Sequence, residues 1–258
     1  MTEVTEKNNM SKEKLIPIID IPYNSIAPRV IVTGDPYRAE KISELLEDVT
    51  VLGKTREYWF FNGTYKGVPV TIASNGCGAA GALLCFEGLI LAGAKVMLRV
   101  GTGGYLQDYV KQGDLIVATA ACREEAVMEQ VIPLSYPAVA DMEVTQNLIC
   151  AAKESGADYH VGLIATGGIF YPEYLPTNIP ILKRAGVIGY ENEASALFTI
   201  CSLKGVKSGA IMAMDGPCFE FVGADDFDHY PEAIERAKEK QFEIALNALI
   251  ATKTEAKR

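Results

Sequence analysis

Strand-like apolar runs alternate with helix-like segments along nearly the whole chain, and this alternation restricts the fold more than any other feature of the sequence. The strand-like runs cover residues 30–33, 68–74, 96–100, 115–120, 161–165 and 209–214. The helix-like segments cover residues 36–47, 79–92, 143–155, 191–204 and 230–252. Elements in this order form α/β layers around a largely parallel or mixed sheet. We therefore predict an α/β fold, a three-layer α/β/α sandwich with a central mixed β-sheet.

The chain of 258 residues is long enough for one large α/β domain. Residues 1–14 are charged throughout and contain no apolar signal core, so we predict a mobile lead-in followed by a single domain over residues 15–258. Glycine, lysine or glutamate interrupts each long apolar stretch, which predicts no transmembrane helix and no membrane partner. These features favour a cytoplasmic protein.

The charge balance and the cysteine pattern exclude several classes of function. The net charge of −9 argues against a nucleic-acid-binding surface, which is normally basic. The six cysteines have no C-x-x-C spacing, as is typical of reduced cytosolic thiols. With only two histidines in the chain, no zinc or other metal site is predicted.

Two arginines stand beside glycines at the ends of apolar runs, and both suit an oxyanion. In R-V-G-T-G-G, Arg99 follows an apolar run, and a tight glycine turn containing Thr102 is expected after it. In T-G-D-P-Y-R, Gly34 makes a turn, Asp35 is expected to cap a helix, and Arg38 falls in its first turn. Arginine offers a fixed fork of donors, and free N–H groups of a first helical turn favour anions. Together the two segments predict one shared phosphate site.

Three further segments carry charged residues that could take part in chemistry. Arg56 precedes a probable strand, Glu191 and Glu193 begin a predicted helix, and Asp215 ends an apolar strand. Each also has a plain structural explanation, such as favourable charge at a helix start or a turn-forming Asp-Gly pair. The stretch over residues 166–180 is rich in glycine and proline and is predicted to be a long loop of the kind that often carries function.

Taken together, these segments resemble the nucleoside phosphorylase family that contains the hexameric purine nucleoside phosphorylases and the uridine phosphorylases. The resemblance extends from about Val30 to the final helix and is closest to the apicomplexan type of purine enzyme. Its motifs are G-D-P-Y-R-A, T-R-E-Y, R-V-G-T-G-G, Y-P-A-V-A-D, F-Y-P and the E-N-E segment. It implies a pentosyltransferase that uses inorganic phosphate as co-substrate and needs no other cofactor.

The resemblance also implies a role for each site residue. Asp215 and Arg99 would be catalytic, and Arg56 would reach the neighbouring subunit's site in a homo-oligomer, a hexamer built as a trimer of dimers. Phosphate would be bound by Gly34, Arg38, Arg56, Arg99 and Thr102. Ribose would be bound by Glu191, Asn192 and Glu193, with Glu193 on its 2′- and 3′-hydroxyls. The base would be bound by Phe170 and Asp215.

The chain departs from the family pattern at three places that bear on the substrate. The usual E-M-E is E-N-E here, with Asn192, and no histidine precedes His160 to contact the ribose 5′-hydroxyl. The Q-x-R pair that reads uracil is replaced by Glu173, Tyr174 and Leu175.

We therefore predict purine preference for inosine- or guanosine-like nucleosides, with uridine phosphorolysis as the alternative. A nucleosidase that uses water and a non-catalytic nucleoside-binding protein are the remaining alternatives. The size of the oligomer and the tolerance at the 5′ position are open.

Overall fold

The computed structural model describes residues 14–171, 174–218 and 232–255. The predicted boundary between lead-in and domain, at residues 14 and 15, lies at the start of this part. Ten strands occur there: β1 (Arg29–Thr33), β2 (Glu47–Thr55), β3 (Tyr58–Tyr65), β4 (Val68–Ser74), β5 (Val96–Tyr105), β6 (Leu115–Glu124), β7 (Ala138–Val139), β8 (Tyr159–Gly167), β9 (Gly189–Glu191) and β10 (Lys207–Pro217). Six α-helices accompany them: α1 (Pro36–Ser43), α2 (Ala79–Ala92), α3 (Met142–Ser155), α4 (Ile179–Arg184), α5 (Ala194–Lys204) and α6 (Glu232–Ala251).

All ten strands belong to one mixed sheet, in which the neighbours run β10-β6-β8-β9-β5-β1-β4-β3-β2 and β7 pairs with β6. Strand β10 also pairs in parallel with β5, so that five strands close into a ring: β5, β10, β6, β8 and β9. Strands β1, β4, β3 and β2 extend from β5 as an open sheet that ends in the antiparallel hairpin β2–β3. A closed ring brings the ends of strands that are distant in sequence to one rim.

Helices cover both faces of the sheet, as the α/β/α prediction requires. Residues of α2 and α5 share one hydrophobic cluster, and residues of α1, α3 and α6 share the other. Alternate residues of the strands divide between the clusters: on β1, Val30 and Val32 belong to the first and Ile31 belongs to the second. The predicted single α/β domain with a mixed sheet is therefore confirmed.

The glycines after Arg99 do not form the predicted turn. Strand β5 instead continues through them to Tyr105, pairing with β10 along the way. The structure requires glycine there because space is short. A Cβ at Gly101 would lie 2.7 Å from the Met212 sulfur, and one at Gly103 would lie 2.5 Å from the Tyr190 carbonyl oxygen. The glycines after Arg99 are therefore explained by the close packing of β10 and β9 against β5, and not by a turn.

In the described part of the chain, no helix is long and apolar enough to cross a membrane.

Candidate active site

Two of the residues that sequence analysis singles out, Arg38 and Arg99, lie beside the end of β1. Arg99 on β5 lies opposite Val32 of β1 and Ala210 of β10 in the parallel ladders. Strand β1 also pairs in parallel with β4, where Thr33 lies opposite Ser74. Strand β1 therefore ends beside Arg99 and β4 ends beside β1, whereas β10 continues along β5 as far as Pro217, opposite Tyr105. In open α/β sheets, the carboxyl ends of strands are where ligands bind.

Arg99 is at the centre of a buried ion-pair cluster. Its Nε donates to Glu191 Oε2 at 3.0 Å, and its Nη2 donates to Glu193 Oε2. The second oxygen of Glu193, Oε1, accepts from the backbone N–H of Gly78 at 2.5 Å. Side-chain exposure is 5% or less for all three charged residues. Buried charges are tolerated only when they are paired and hydrogen-bonded in this way.

Glu191 is held more firmly than any other carboxylate in the cluster. Its Oε1 accepts from the Thr166 hydroxyl at 2.5 Å, and both oxygens accept from the backbone N–H of Ala194 at 2.9 Å. Its Oε2 also accepts from the backbone N–H of Glu193 at 2.8 Å. These N–H groups lie at the start of α5, where four backbone donors lack partners within the helix. The predicted helix therefore starts later than expected: Glu191 is the last residue of β9 and Glu193 precedes the first residue of α5. From the end of β9, Glu191 accepts the free N–H groups at the start of α5 and fixes the orientation of Arg99.

Neighbouring charges keep Arg99 ionised, and one of its nitrogens has no hydrogen-bond partner among the described residues. Burial lowers the pKa of Arg99, but the charges of Glu193 and Glu191 outweigh burial and raise it overall. Burial raises the pKa of Glu193, with Arg99 opposing that rise. The buried Nη1 of Arg99 has no hydrogen-bond partner among the described residues. A buried guanidinium nitrogen without a partner is costly, and an oxyanion would satisfy it.

Arg38 provides a second cation near Arg99. It lies in the first turn of α1, and Asp35 caps this helix as predicted, because its side chain accepts from the Tyr37 N–H at 3.0 Å. The Arg38 Nη1 lies 3.5 Å from the Thr33 hydroxyl. Burial, and then the positive charge of Arg99, lower the pKa of the Arg38 guanidinium. The two arginines therefore share one electrostatic environment, which suits an anion carrying more than one negative charge.

Asp215 stands at a β-bulge near the end of β10. The pairing with β5 shifts register between Met214 and Gly216, so Asp215 is the extra residue of the bulge. Bulges re-aim a side chain and recur beside active sites. Burial raises the pKa of Asp215, while the nearby positive charges of Lys238 and Arg38 lower it by less. A carboxyl group in this setting retains its proton to higher pH than an exposed aspartate.

Gly34 and Thr102 are both half-buried. Thr102 lies on β5 opposite Ala213 of β10. A Cβ at Gly34 would lie 3.2 Å from the carbonyl oxygen of Gly76, so the turn after β1 abuts the segment after β4. Gly34 therefore lies in the turn between β1 and α1, the helix that carries Arg38, and Thr102 lies three residues after Arg99 on the same strand.

Other predicted site residues lie outside the buried cluster. Arg56 is exposed in the turn of the β2–β3 hairpin with φ of 55°, and its guanidinium forms no ion pair within the described residues. The ring of Phe170 is 66% exposed and packs edge-to-face on Tyr171 at 4.9 Å. Asn192 is half-buried, and its Nδ2 donates to the Gly167 carbonyl at 2.8 Å. Glu173 lies outside the described residues.

Sequence reasoning missed the segment over residues 76–78 and the hydroxyl of Thr166. Gly76 and Gly78 adopt φ of +72° and +85°, which lets the chain turn back so that the Gly78 N–H faces Glu193. The glycines of N-G-C-G, directly after the strand-like run over residues 68–74, could have indicated this turn. Nothing in the sequence connects Thr166 with Glu191, which are 25 positions apart.

Comparisons with known proteins agree with this geometry. A family model described as the phosphorylase superfamily matches residues 28–251. The chain is 36% identical over 201 residues to a uridine phosphorylase of Thermococcus kodakarensis, covering 73% of each chain. It is 34% identical over 245 residues to a purine nucleoside phosphorylase of Plasmodium falciparum, covering 93% of this chain and 99% of the relative. The crystal structure of the Toxoplasma gondii purine nucleoside phosphorylase with immucillin-H superposes with a TM-score of 0.87 at 31% identity, covering 93% of this chain and 97% of that one.

Proposed function

This chain belongs to the phosphorylase superfamily and is a nucleoside phosphorylase, a pentosyltransferase, and from this premise we propose that it acts on purine nucleosides of the inosine and guanosine type. Phosphate oxygen attacks C1′ of the ribose, the C1′–N bond breaks, and the products are the free base and ribose 1-phosphate. Inorganic phosphate is the co-substrate, and the reaction calls for no other cofactor. The cytoplasm is the proposed location, on the sequence features alone.

Phosphate binding is assigned to Gly34, Arg38, Arg99 and Thr102. The buried Arg99 Nη1 without a described partner supports this assignment, as does the positive charge of Arg99, which lowers the pKa of Arg38. Bound this way, the anion is oriented and partly desolvated before it attacks, which is the main contribution that positioning makes to such a reaction. Arginine suits the task because it does not lose its charge.

Ribose binding is assigned to Glu193 together with Glu191 and Asn192. Glu193 is fixed by Gly78 and Arg99, so its carboxylate is held in one orientation. A carboxylate beside the sugar positions the 2′- and 3′-hydroxyls and stabilises the positive charge that develops on the ribose as the C1′–N bond breaks. Asn192 donates a hydrogen bond to the Gly167 carbonyl. This contact connects the ribose region with the start of the loop that carries Phe170, the proposed base contact.

The purine assignment depends chiefly on Asp215. Its position at a bulge, together with burial that raises its pKa, favours a protonated carboxyl that can donate to N7 of a departing purine. Uracil offers no such nitrogen. The absence of the Q-x-R pair at residues 173–175 supports the same choice.

Uridine phosphorolysis is the second candidate, because a relative named uridine phosphorylase is as similar in identity as the purine enzymes are. A coupled assay of inosine, adenosine and uridine, each with and without phosphate, separates these functions. We expect phosphate-dependent release of hypoxanthine from inosine. Robust turnover of uridine with none of inosine contradicts the purine assignment, release of base without phosphate indicates a nucleosidase, and binding without turnover indicates a nucleoside-binding protein.

A homo-oligomer is also proposed, with Arg56 completing the phosphate site of a neighbouring subunit. Its exposed position in the β2–β3 hairpin, away from the other proposed phosphate ligands, supports this role. The hexamer, a trimer of dimers, remains an expectation from the family resemblance.

A further inference from the structure

Cys77 stands between two glycines in the segment that joins β4 to α2. Its neighbour Gly78 donates its backbone N–H to Glu193 Oε1, so the thiol is one residue away from a direct hydrogen bond to the proposed ribose carboxylate. On the other side, Gly76 lies against the turn that carries Gly34, the proposed phosphate ligand. Cys77 itself is exposed. The fold therefore places an accessible thiol in the segment that contacts both the proposed ribose carboxylate and the turn of the proposed phosphate ligand Gly34.

The charges around the thiol belong to the same site. Partial burial raises the pKa of Cys77, Glu193 raises it further, and Arg99 and Arg38 oppose the rise. The Arg99 side chain is 4% exposed, and its Nη1 lacks a partner among the described residues. That unpartnered donor is an independent sign that an anion binds at Arg99, whose charge acts on Cys77.

We propose that Cys77 is a ligand-protected modification site, in which alkylation of the thiol and occupation of the phosphate site exclude each other. This inference rests on the proposed phosphate site. With iodoacetamide, the Cys77 sulfur forms a bond to the CH₂ carbon, iodide leaves with the electrons of the C–I bond, and the thiol proton passes to the buffer. The added carbamidomethyl group then occupies space between the phosphate and ribose positions, so turnover stops. Since the thiolate is the nucleophile, labelling accelerates as the pH rises.

Cys150 offers a matched reference within the same chain. It is also an exposed free cysteine, but it lies on α3 in the opposite helical layer. The rate at which iodoacetamide labels each cysteine is followed by peptide mass spectrometry, in phosphate and in potassium chloride of equal ionic strength. Phosphate at ten times its dissociation constant leaves about one-tenth of the sites open, so Cys77 labelling is expected to slow about tenfold. Cys150 labelling is expected to stay unchanged.

Two variants link labelling to activity. The activity of Cys77→Ala is expected to be the same before and after treatment with iodoacetamide. Cys150→Ala is expected to lose activity on treatment, as the wild type does. The inference is overturned if phosphate leaves the ratio of Cys77 to Cys150 labelling unchanged, or if Cys77→Ala is inactivated at the wild-type rate. The labelling ratio needs only the wild-type protein, so it decides the matter even if the variant does not fold. Protection by phosphate without phosphorolysis of any nucleoside contradicts the proposed function and leaves the Cys77 inference standing.

Discussion

The Nε of Arg99 donates a hydrogen bond to Oε2 of Glu191 at 3.0 Å, although 92 positions separate the two residues in the chain. The side chains are 4% and 2% exposed. This contact uses one edge of the guanidinium fork and leaves Nη1 without a described partner. With Nη2 paired to Glu193, Nη1 is the group of Arg99 left for the phosphate that we propose binds there.

Replacing Arg99 tests this assignment. Arg99→Ala is expected to raise the phosphate KM and to lower kcat/KM by about 30- to 1,000-fold, because losing a charged donor to a buried anion costs about 2–4 kcal/mol. Steady-state kinetics with phosphate as the varied substrate measures the change. Arg184→Ala, at an exposed arginine on α4, is the matched control and should leave the phosphate KM unchanged.

The same replacement also affects stability, because it leaves two buried carboxylates unpaired. Breaking a buried pair typically costs 3–5 kcal/mol, so thermal melts should accompany the kinetics. Arg99→Lys retains the charge but loses the fork, and it should fold better while still binding phosphate poorly. A folded Arg99 variant with near-normal phosphate kinetics would show that the anion binds elsewhere.

Asp215→Asn tests the proton donor. Turnover of inosine should fall by about 10²–10⁴-fold, the usual contribution of general acid catalysis. Turnover of 7-methylguanosine should fall far less, because its leaving group is already activated. If Asp215 only shapes the turn with Gly216, both substrates will lose activity together and the variant will be less stable.

The pH dependence of the wild-type enzyme provides a separate check on Asp215. Burial raises the pKa of Asp215, so the group should stay protonated above the range in which an exposed aspartate ionises. Turnover of inosine should decline as the pH rises through this raised pKa, whereas turnover of 7-methylguanosine should not. Parallel pH profiles for the two substrates would contradict proton donation by this residue.

Subunit mixing tests whether Arg56 acts across an interface. Arg56→Ala and Glu193→Ala should each be nearly inactive alone, since every site then lacks one group. When the two variants are co-expressed and pair at random, about half of the dimers are mixed and each has one complete site, which restores about a quarter of all sites. No recovery in verified mixed oligomers, or a fully active monomer in analytical ultracentrifugation, would refute the shared site.

The ion pair of Lys207 and Glu143 is expected to stabilise the fold away from the active site. Lys207 Nζ donates to Glu143 Oε2 at 2.6 Å, and the lysine side chain is 9% exposed. Glu143→Gln should lower the free energy of unfolding by on the order of 1–2 kcal/mol near neutral pH, because the buried ammonium loses its charged partner. Glu154→Gln, an exposed position on the same helix, is the control.

The sign of the pH dependence follows from the carboxyl group. The hydrogen bond from Lys207 holds the pKa of Glu143 below its ordinary value. The stabilisation is therefore present above the unfolded value of about 4.3 and disappears as the pH falls through the lower, folded value. Denaturant melts of the wild type and Glu143→Gln should converge in acid, and a difference that persists there would rule out this electrostatic origin.

Local sequence patterns determined much of the secondary structure. The predicted strand over residues 68–74 and helix over 79–92 have the bounds of β4 and α2, since a β-branched run and a long apolar segment ending at glycine decide those elements locally. Asp35 was identifiable as a helix cap for the same reason. Strand β2 was not predicted, because its residues are mostly exposed. The predicted helix over residues 36–47 also extends beyond Ser43, where α1 ends.

Sequence and family resemblance also identified Arg38, Arg99, Glu193 and Asp215 as candidates, because charged residues at the ends of apolar runs are conspicuous. Only the tertiary structure decided how they combine. The ring formed by β5, β10, β6, β8 and β9 depends on pairings between distant segments, which no local pattern encodes. That closure turns the glycines after Arg99 into packing positions and brings Glu191 and Glu193 onto Arg99. The hydrogen bond from Gly78 to Glu193 then brings the segment of Cys77 to the same cluster. Such contacts arise from burial and register across the sheet, so they exist only once the strands have assembled.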